Sequence, residues 1–487
     1  MQNKKSKENN KQQEIDNKGI TVKKQENMPE WYSEVVQKAE LADYSTIQGF
    51  MVIRPNAYSI WEKIQEYFNN RLEKMQVKNS YFPLLIPESF FKREAEHAQG
   101  FAPELAYIQK KEDGERFAIR PTSETIMYDS YSKWIRSWRD LPLRLNQWCN
   151  VLRWEVKQTK PFLRTREFLW QEGHNVFETE KEAVEDMMMV IKEYKKLCEE
   201  QLAIPVLVGR KSQAEKFPGA ITTMTTEALM PDGKALQCGT THNLGQGFAK
   251  VFNIKYLDKN EKQSYPFQTS WGFSTRLIGA VIMTHGDDKG FVLPPKIAKN
   301  KAVIVPILIG SEKDKEKVLK KCLEVEKKLS KFGVFVDSRE EYNPGWKFNE
   351  WELKGIPLRI EIGPKDLEKK QITIVRRDTG KKDFIKEKDI SINVGKILED
   401  IQKSLFEKAK KFLDSQIDSA SSLAELKTKI SQGKIVKAYF TESERVEGEI
   451  RDSVGVNSRF VEDVKKPGKC IITGKPVNTL GYFAKNY

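Results

Sequence analysis

Cysteine is scarce in this chain of 487 residues. Cys149, Cys198, Cys238, Cys322 and Cys470 stand far apart, with no CxxC pair among them. An odd, dispersed set in a long chain excludes a disulfide scaffold and points to a reducing compartment. Histidine is just as sparse: His97, His174, His242 and His285 are scattered and no HExxH occurs, so a multi-histidine metal site has no support. Also missing are G-x-x-x-x-G-K-[ST] and G-x-G-x-x-G, which removes the P-loop and the Rossmann loop as phosphate cradles. No G-x-S-x-G supplies a nucleophile elbow. A nucleotide bound here must be held by arginines and a sheet. No apolar run approaches the ~18 residues that span a bilayer, and the best, AVIVPILI at 302–309, reads as a buried strand. Residues 1–27 are polar and Lys-rich without an apolar stretch, so they are expected to be a disordered tail and not a signal peptide. The expectation is a soluble, cytoplasmic protein without membrane contact.

What is present suits roughly three domains at about 150 residues each. Hydrophobic residues are 39% and charged residues 31%, enough for a sizeable core under a heavily solvated surface. The formal charge of +14 favours polyanionic partners, nucleic acid above all, a bias that a basic proteome also gives. Ala57, Ile60, Trp61, Ile64, Phe68 and Leu72 recur at helical spacing, and 81–86 reads as a strand stopped by Pro87. Residues 145–155 and 162–174 switch to period two and read as strands of an antiparallel hairpin across the polar loop 156–161. Helical character returns over 183–202. This order suggests an α+β domain on an antiparallel sheet over 28–296. After a basic linker near 296–301, strand 302–309, helix 313–332 and strands 334–337, 358–362 and 372–375 suggest an α/β domain over 297–390 with a largely parallel sheet. Val394, Ile397, Leu398, Ile401, Leu405, Ala409 and Phe412 make one stripe of a long helix that opens a small unit over 391–487.

The hairpin carries the chemistry. Arg153 and Glu155 are two apart and so project from one face. On the return strand Phe162, Arg164, Arg166, Phe168, Trp170, Glu172 and His174 share a parity if the strand stays regular. Cross-strand ion pairs on a solvated face account for the charges alone. They do not account for Phe168 and Trp170, which need burial or a ligand. Arginine, carboxylate and aromatics on one face suit an anionic, planar and partly cationic ligand set, such as a nucleotide plus an amino acid.

R-x-E, a loop and RTREF (164–168) resemble motif 2 of class II aminoacyl-tRNA synthetases. The helix, strand and Pro87 resemble motif 1, the dimer-forming element, and GFSTR (272–276) stands in the place of motif 3. PTSET (121–125), FLWQEGH (168–174), THGDDKG (284–290) and WELKGIPLRIEIGPKD (351–366) make the chain, over 28–487, similar to the prolyl-tRNA synthetases of archaeal/eukaryotic-like type. The resemblance implies an α+β fold: a class II catalytic core on an antiparallel sheet, an α/β anticodon-binding domain and a small C-terminal α+β domain. It implies a homodimer that activates L-proline with ATP and Mg²⁺ to prolyl-adenylate, then transfers the prolyl group to the 3′ end of tRNA(Pro). A synthetase for threonine, glycine or histidine is the near rival, disfavoured by FLWQEGH and PTSET. A non-catalytic tRNA-binding relative would be marked by loss of Arg153 or Arg276, and both are present.

The same resemblance implies roles. Arg153 and Arg276 would be catalytic, the first clamping proline carboxylate and α-phosphate with its planar fork, the second holding the γ-phosphate. Phe168 would stack on adenine, with Glu155, Arg164, Thr165, Gln237, Thr240 and Ser274 around the nucleotide. Thr122, Glu124 and Glu172 would supply polar contacts to proline, in a box formed by Trp170, Phe217, His174 and His242. Glu352, Arg359, Lys365 and Asp366 would read the anticodon. His97 and His285 keep a structural assignment. Many relatives carry four zinc-binding cysteines in the C-terminal unit. Here Cys470 remains beside Thr441, Val446 and Thr473, and one thiolate cannot make a structural site, so no zinc is expected. Tyr487 would reach toward the active site, and Cys238 is expected to be a buried, inert thiol. Motifs 2 and 3 are joined by about a hundred residues, leaving no room for a large editing domain, so mischarging with alanine or cysteine is expected.

Overall fold

The computed structural model describes residues 19–97, 104–108 and 114–487. Residues 1–18 of the expected tail, and the side chain of His97, lie outside the described residues. Residues 19–27 are laid down against the domain. Thr21 bonds to the carboxylate of Glu34, and Lys24 Nζ donates to the carbonyls of Met283 and Gly286 at 2.6 Å each. A lysine there satisfies the carbonyls left open at a helix end.

Alternating residues of the middle of the chain build the central sheet. Its strands are β1 (Leu143–Leu152), β2 (Glu167–Phe177), β3 (Leu207–Arg210), β4 (Thr222–Leu229), β5 (Lys234–Gly245) and β6 (Phe267–Ser274). They lie in the order β3-β4-β5-β6-β2-β1, every neighbour antiparallel. Helix α1 (Met28–Lys38), α2 (Pro55–Lys74), α3 (Glu124–Trp134), α4 (Glu180–Lys196) and α5 (Arg276–His285) pack around this sheet. The six apolar positions read from the spacing of α2 are all buried. Helix α5 is apolar nearly all round and accordingly buried nearly all round.

The expected strand at 81–86 is two short pieces, Lys78–Asn79 and Leu85–Pro87, with irregular chain between. The hairpin is longer in its connection than its period suggests. β1 ends at Leu152 and β2 starts at Glu167. Phe162 sits at φ +61 and Lys160 bridges Arg164, so the chain turns on itself where strand was expected. Arg153, Glu155, Arg164 and Arg166 therefore belong to the connection and not to the sheet face.

The following unit has β7 (Ala302–Pro306), β8 (Val334–Val336), β9 (Leu358–Ile362), β10 (Gln371–Arg376) and β11 (Lys382–Lys386), with α6 (Glu312–Lys328) and α7 (Pro344–Leu353). The order is β8-β7-β9-β10-β11, parallel on both sides of β7 and antiparallel beyond β9. The sheet is thus mixed and not largely parallel. Only the first strands are linked by crossover helices, and β9 to β11 follow through short connections that impose antiparallel pairing.

Helix α8 (Ile390–Ser415) buries Val394, Leu398, Ile401, Leu405 and Ala409 of the expected stripe. Beyond it come β12 (Ile417–Ser419), β13 (Ile435–Tyr439), β14 (Ser458–Lys469), β15 (Pro476–Phe483) and β16 (Lys485–Asn486). These strands continue the central sheet: β14 pairs β3 at Val461 opposite Arg210, and with Lys78–Asn79 the two sets make a sheet of 12 strands. At this seam Phe460 lies on Gly209, where a Cβ would meet the ring at 2.1 Å. Only glycine lets the two edges close. Among the described residues no helix is long and apolar enough to cross a membrane.

Candidate active site

Register aligns the site. His174, Ser270, His242 and Thr223 occupy one cross-strand row of β2, β6, β5 and β4. Glu172, Gly272 and Thr240 form the next row on the same face, and Trp170 faces Ser274 in the row after that. Successive rows two residues apart share a face. The parity of Phe168, Trp170, Glu172 and His174 therefore places all four on one wall of a cavity of about 390 Å³. Gly272 leaves the centre of that wall open, since a Cβ there would come within 2.8 Å of a backbone oxygen.

Glu172 is the polar centre. It accepts from Thr122 Oγ1 at 3.0 Å, from the Ser123 N–H at 3.0 Å and from Gln147 Nε2 at 3.3 Å, and lies 3.1 Å from His174 Nε2. Burial opposes its charge. The hydrogen bond and field of His174 and the bonds from Ser123 outweigh burial and hold the carboxyl down to about 2. Glu172 is thus a fixed anion on the cavity wall. Buried Glu124 lies 3.9 Å from His174 Nδ1 and accepts from Tyr128. Trp170 donates through Nε1 to Cys149 Sγ at 3.3 Å, which locks its ring edge-on to Phe168. His242 contacts Thr223 Oγ1 at 2.9 Å and Phe217 with ring centroids 4.8 Å apart. Burial, with His174 and Lys211 nearby, lowers it to about 3, so it is a neutral wall of the box at physiological pH.

The cations are arranged differently. Arg153 lies over Phe168 and Trp170, at 5.3 and 5.4 Å, and gives one long bond to the Pro121 carbonyl. Arg276 donates to the carbonyls of Leu163 and Gln237 at 3.0 and 3.4 Å. Among the described residues neither guanidinium has a carboxylate within 4.0 Å. Burial lowers both, Arg276 to about 10 with Arg153 adding to the effect. Both side chains are half-buried, and a cation drawn partly out of water without an acid is unfavourable unless a ligand supplies the negative charge.

Three models of known families match successive stretches: the tRNA synthetase class II core domain (G, H, P, S and T) at 107–285, the anticodon binding domain at 301–403, and the prolyl-tRNA synthetase C-terminal domain at 423–487. The proline–tRNA ligase of Natranaerobius thermophilus is 48% identical over 470 residues, covering 95% of this chain and 97% of that protein. That of Alkaliphilus oremlandii is 48% identical over 466 residues, covering 94% and 96%. That of Cenarchaeum symbiosum is 45% identical over 474 residues, covering 96% and 99%. The chain belongs to the proline–tRNA ligase family.

With the family established, the structure sorts the residues named from sequence. Thr122, Glu124, Arg153, Glu155, Phe168, Trp170, Glu172, His174, Phe217, Gln237, Thr240, His242, Ser274 and Arg276 all line the cavity, and so does Cys238. Arg164 and Thr165 do not: Arg164 is exposed in the hairpin connection, and Thr165 is buried with its hydroxyl unpaired among the described residues. Tyr487 is also outside the lining. Its hydroxyl donates to Asp232, and its ring receives Lys234 at 5.1 Å.

The four proposed anticodon readers are not gathered together. Glu352 and Arg359 line one small cleft. Asp366 caps its own short helix, accepting from Gly363 N and Thr373 Oγ1 at 3.0 Å each, while Lys365 is exposed beside it. The stretch Gly-Pro-Lys-Asp carries this cap in plain sight, with Pro at the first helical turn and Asp two residues on. Cys470 Sγ accepts from the N–H groups of Thr441 and Thr473 at 3.3 and 3.4 Å, which bring the thiol down to about 7 against its burial. Sequence reasoning missed Lys211, Glu215 and Lys216 on the cavity wall, and the partner of the first, buried Glu227.

Proposed function

We propose that the cavity between Glu172 and Arg276 is where this chain activates L-proline with ATP before charging tRNA(Pro). The single observation that carries this assignment is the pair of half-buried arginines without acids, facing a box whose own anion is fixed. Proline brings a carboxylate and a secondary ammonium, and ATP brings a polyphosphate. Each charge finds its opposite: Glu172 and Glu124 for the ammonium, Arg153 for the carboxylate and α-phosphate, Arg276 for the outer phosphate. The ring of proline fits against Trp170, Phe217, His174 and His242, and the adenine against Phe168. Attack of the carboxylate oxygen on the α-phosphorus forms the acyl phosphate and breaks the bond to the β-phosphate, so pyrophosphate leaves with the charge and catalysis rests on positioning and on preorganised cations. Magnesium would enter with ATP as part of the substrate, carried mostly on the phosphates.

The two-domain substrate set extends the assignment. The cleft of Glu352 and Arg359 is the anticodon contact we favour, supported by its place in the anticodon domain. A cytoplasmic homodimer accords with the family and with exposed Tyr81, Leu85, Phe117 and Trp134 beside the motif 1 elements. Residues between β2 and β6 are taken up by α4, two short helical turns, five strands and their loops, so mischarged alanyl- or cysteinyl-tRNA would persist after synthesis. ATP–pyrophosphate exchange with each of the twenty amino acids, without tRNA, tests the central assignment. Exchange strongest with proline is expected, and exchange strongest with another amino acid would overturn it.

A further inference from the structure

The segment between β3 and β4, residues 211–221, has no regular structure, yet it supplies Lys211, Glu215, Lys216, Phe217 and Pro218 to the cavity wall. Such a segment cannot hold a box to sub-ångström precision without outside support. Its later half is tied locally: the Phe217 N–H donates to Thr223 Oγ1 at 3.0 Å, and that oxygen also meets His242. Its earlier half is tied to β4 by the Lys211 N–H, which donates to the Thr223 carbonyl at 2.8 Å, and otherwise mainly from the C-terminal unit. Arg210 makes a forked pair with Glu442 at 2.9 and 3.0 Å, and the Gln213 N–H donates to the same carboxylate at 2.7 Å. Ser212 Oγ donates to Glu447. Lys211 Nζ donates at 3.0 Å to Glu227, whose oxygens also accept from Arg459 at 3.0 to 3.2 Å.

We propose that the C-terminal unit is the clamp of the pocket loop, and that Glu442, Glu447 and Arg459 are positioning residues for the amino-acid half of the reaction. None of the three touches the cavity. Each acts through a residue of the loop or its buried anchor, and the forked, charge-assisted geometry at Glu442 fixes direction as well as distance. Arg153 and Arg276 stand on the hairpin connection and on α5, outside the clamped segment. Loosening the clamp therefore frees the 211–216 stretch that leads into Phe217, shifts that wall of the box against its single Thr223 tie, and leaves the phosphate contacts in place. This rests on the proline assignment above, and deepens it: recognition of the amino acid, and not of ATP, depends on a unit remote in sequence.

The test is Glu442→Gln in the full chain, which keeps size and removes the charge that grips Arg210. In pyrophosphate exchange the KM for proline is expected to rise about 10-fold, with KM for ATP and kcat held within about 2-fold, since a misplacement of an ångström is worth one to two decades. Glu442→Asp is expected to recover part of the loss. Hydrogen exchange of the peptide covering 211–218 is expected to quicken in Glu442→Gln while that of β5 and β6 stays unchanged. An unchanged proline KM, or equal rises in both KM values, would overturn the clamp. If the wild-type chain exchanges with another amino acid, the proline assignment fails, and the clamp is then judged on loop protection alone, where unaltered protection overturns it.

Discussion

Arginines of the α/β unit and arginines of the cleft are the same side chain in opposite circumstances. In the α/β unit Arg339 grips Asp337 at 2.7 and 2.8 Å and also Glu350, Arg376 grips Asp378 and Asp400, and Arg377 forks onto Asp287. The acids raise Arg339 and Arg376 above the ordinary guanidinium range. In the cleft, burial moves Arg153 and Arg276 the other way. A guanidinium whose charge is already met is scaffold. One that is half-buried and unmet is reserved for a ligand, and the fold carries its partial desolvation until that ligand arrives.

That contrast is open to breakage at four points. Arg153→Ala should lower proline-dependent exchange by about 10³-fold or more, close to 4 kcal/mol, while leaving urea stability within about 0.5 kcal/mol of wild type. A large loss of stability would make Arg153 scaffold after all. Asp337→Asn should do the reverse. It strands buried Lys347 and half of Arg339's pairing, so denaturation should show a loss of about 2–4 kcal/mol with exchange kinetics unaltered. Glu172→Gln should raise the KM for proline about 10- to 100-fold and leave the KM for ATP alone, measured in the same exchange assay. If both move together, Glu172 serves the whole cleft and not the ammonium.

The smallest effect concerns a buried group satisfied outside the cleft. His285 lies 2.8 Å from the Leu202 carbonyl, and burial lowers it to about 4, below the ~6.5 of an unfolded histidine. The unfolded chain binds the proton first, so the contribution of His285 to stability is complete above pH about 6.5 and lost as pH falls toward 4. His285→Gln, which keeps a donor for Leu202, should flatten the decline in thermal stability between pH 7 and 5 by about 1–2 kcal/mol, without touching exchange at pH 7. An unflattened decline would remove His285 from the acid limb.

Period and parity made the wall of the site legible from Phe168 to His174, because a strand buried on one face must alternate. The same arithmetic failed at Arg164 and Arg166, where Phe162 at positive φ takes the chain out of the sheet, a turn that no composition signal marks. Motif resemblance then placed 14 of the named residues on one cavity. It did not bring in Asp366, whose one oxygen caps a helix start and whose other accepts from Thr373, or Tyr487, which braces the back of α5 against Met283. Lys211 with Glu227 and Arg459 was beyond reach, since pairing across such separations leaves no trace in spacing. The mixed sheet of the α/β unit was misjudged because its strands alternate with helices only in its first half.

Glu227 and Arg459 are 232 residues apart. At about 5–20 residues per second, translation leaves the edge strand Leu207–Arg210 waiting roughly 10–50 s for its neighbour. An unpaired edge in a half-made sheet is a hazard for association with other nascent chains. The strand is four residues long and ends in Arg210, with Lys211 next, so it guards itself with charge during the wait and then spends both cations on acids once the sheet is whole. The pocket thus becomes complete only after almost the entire message has been read, and a prematurely ended chain would carry the motifs of the family without the grip on its amino acid.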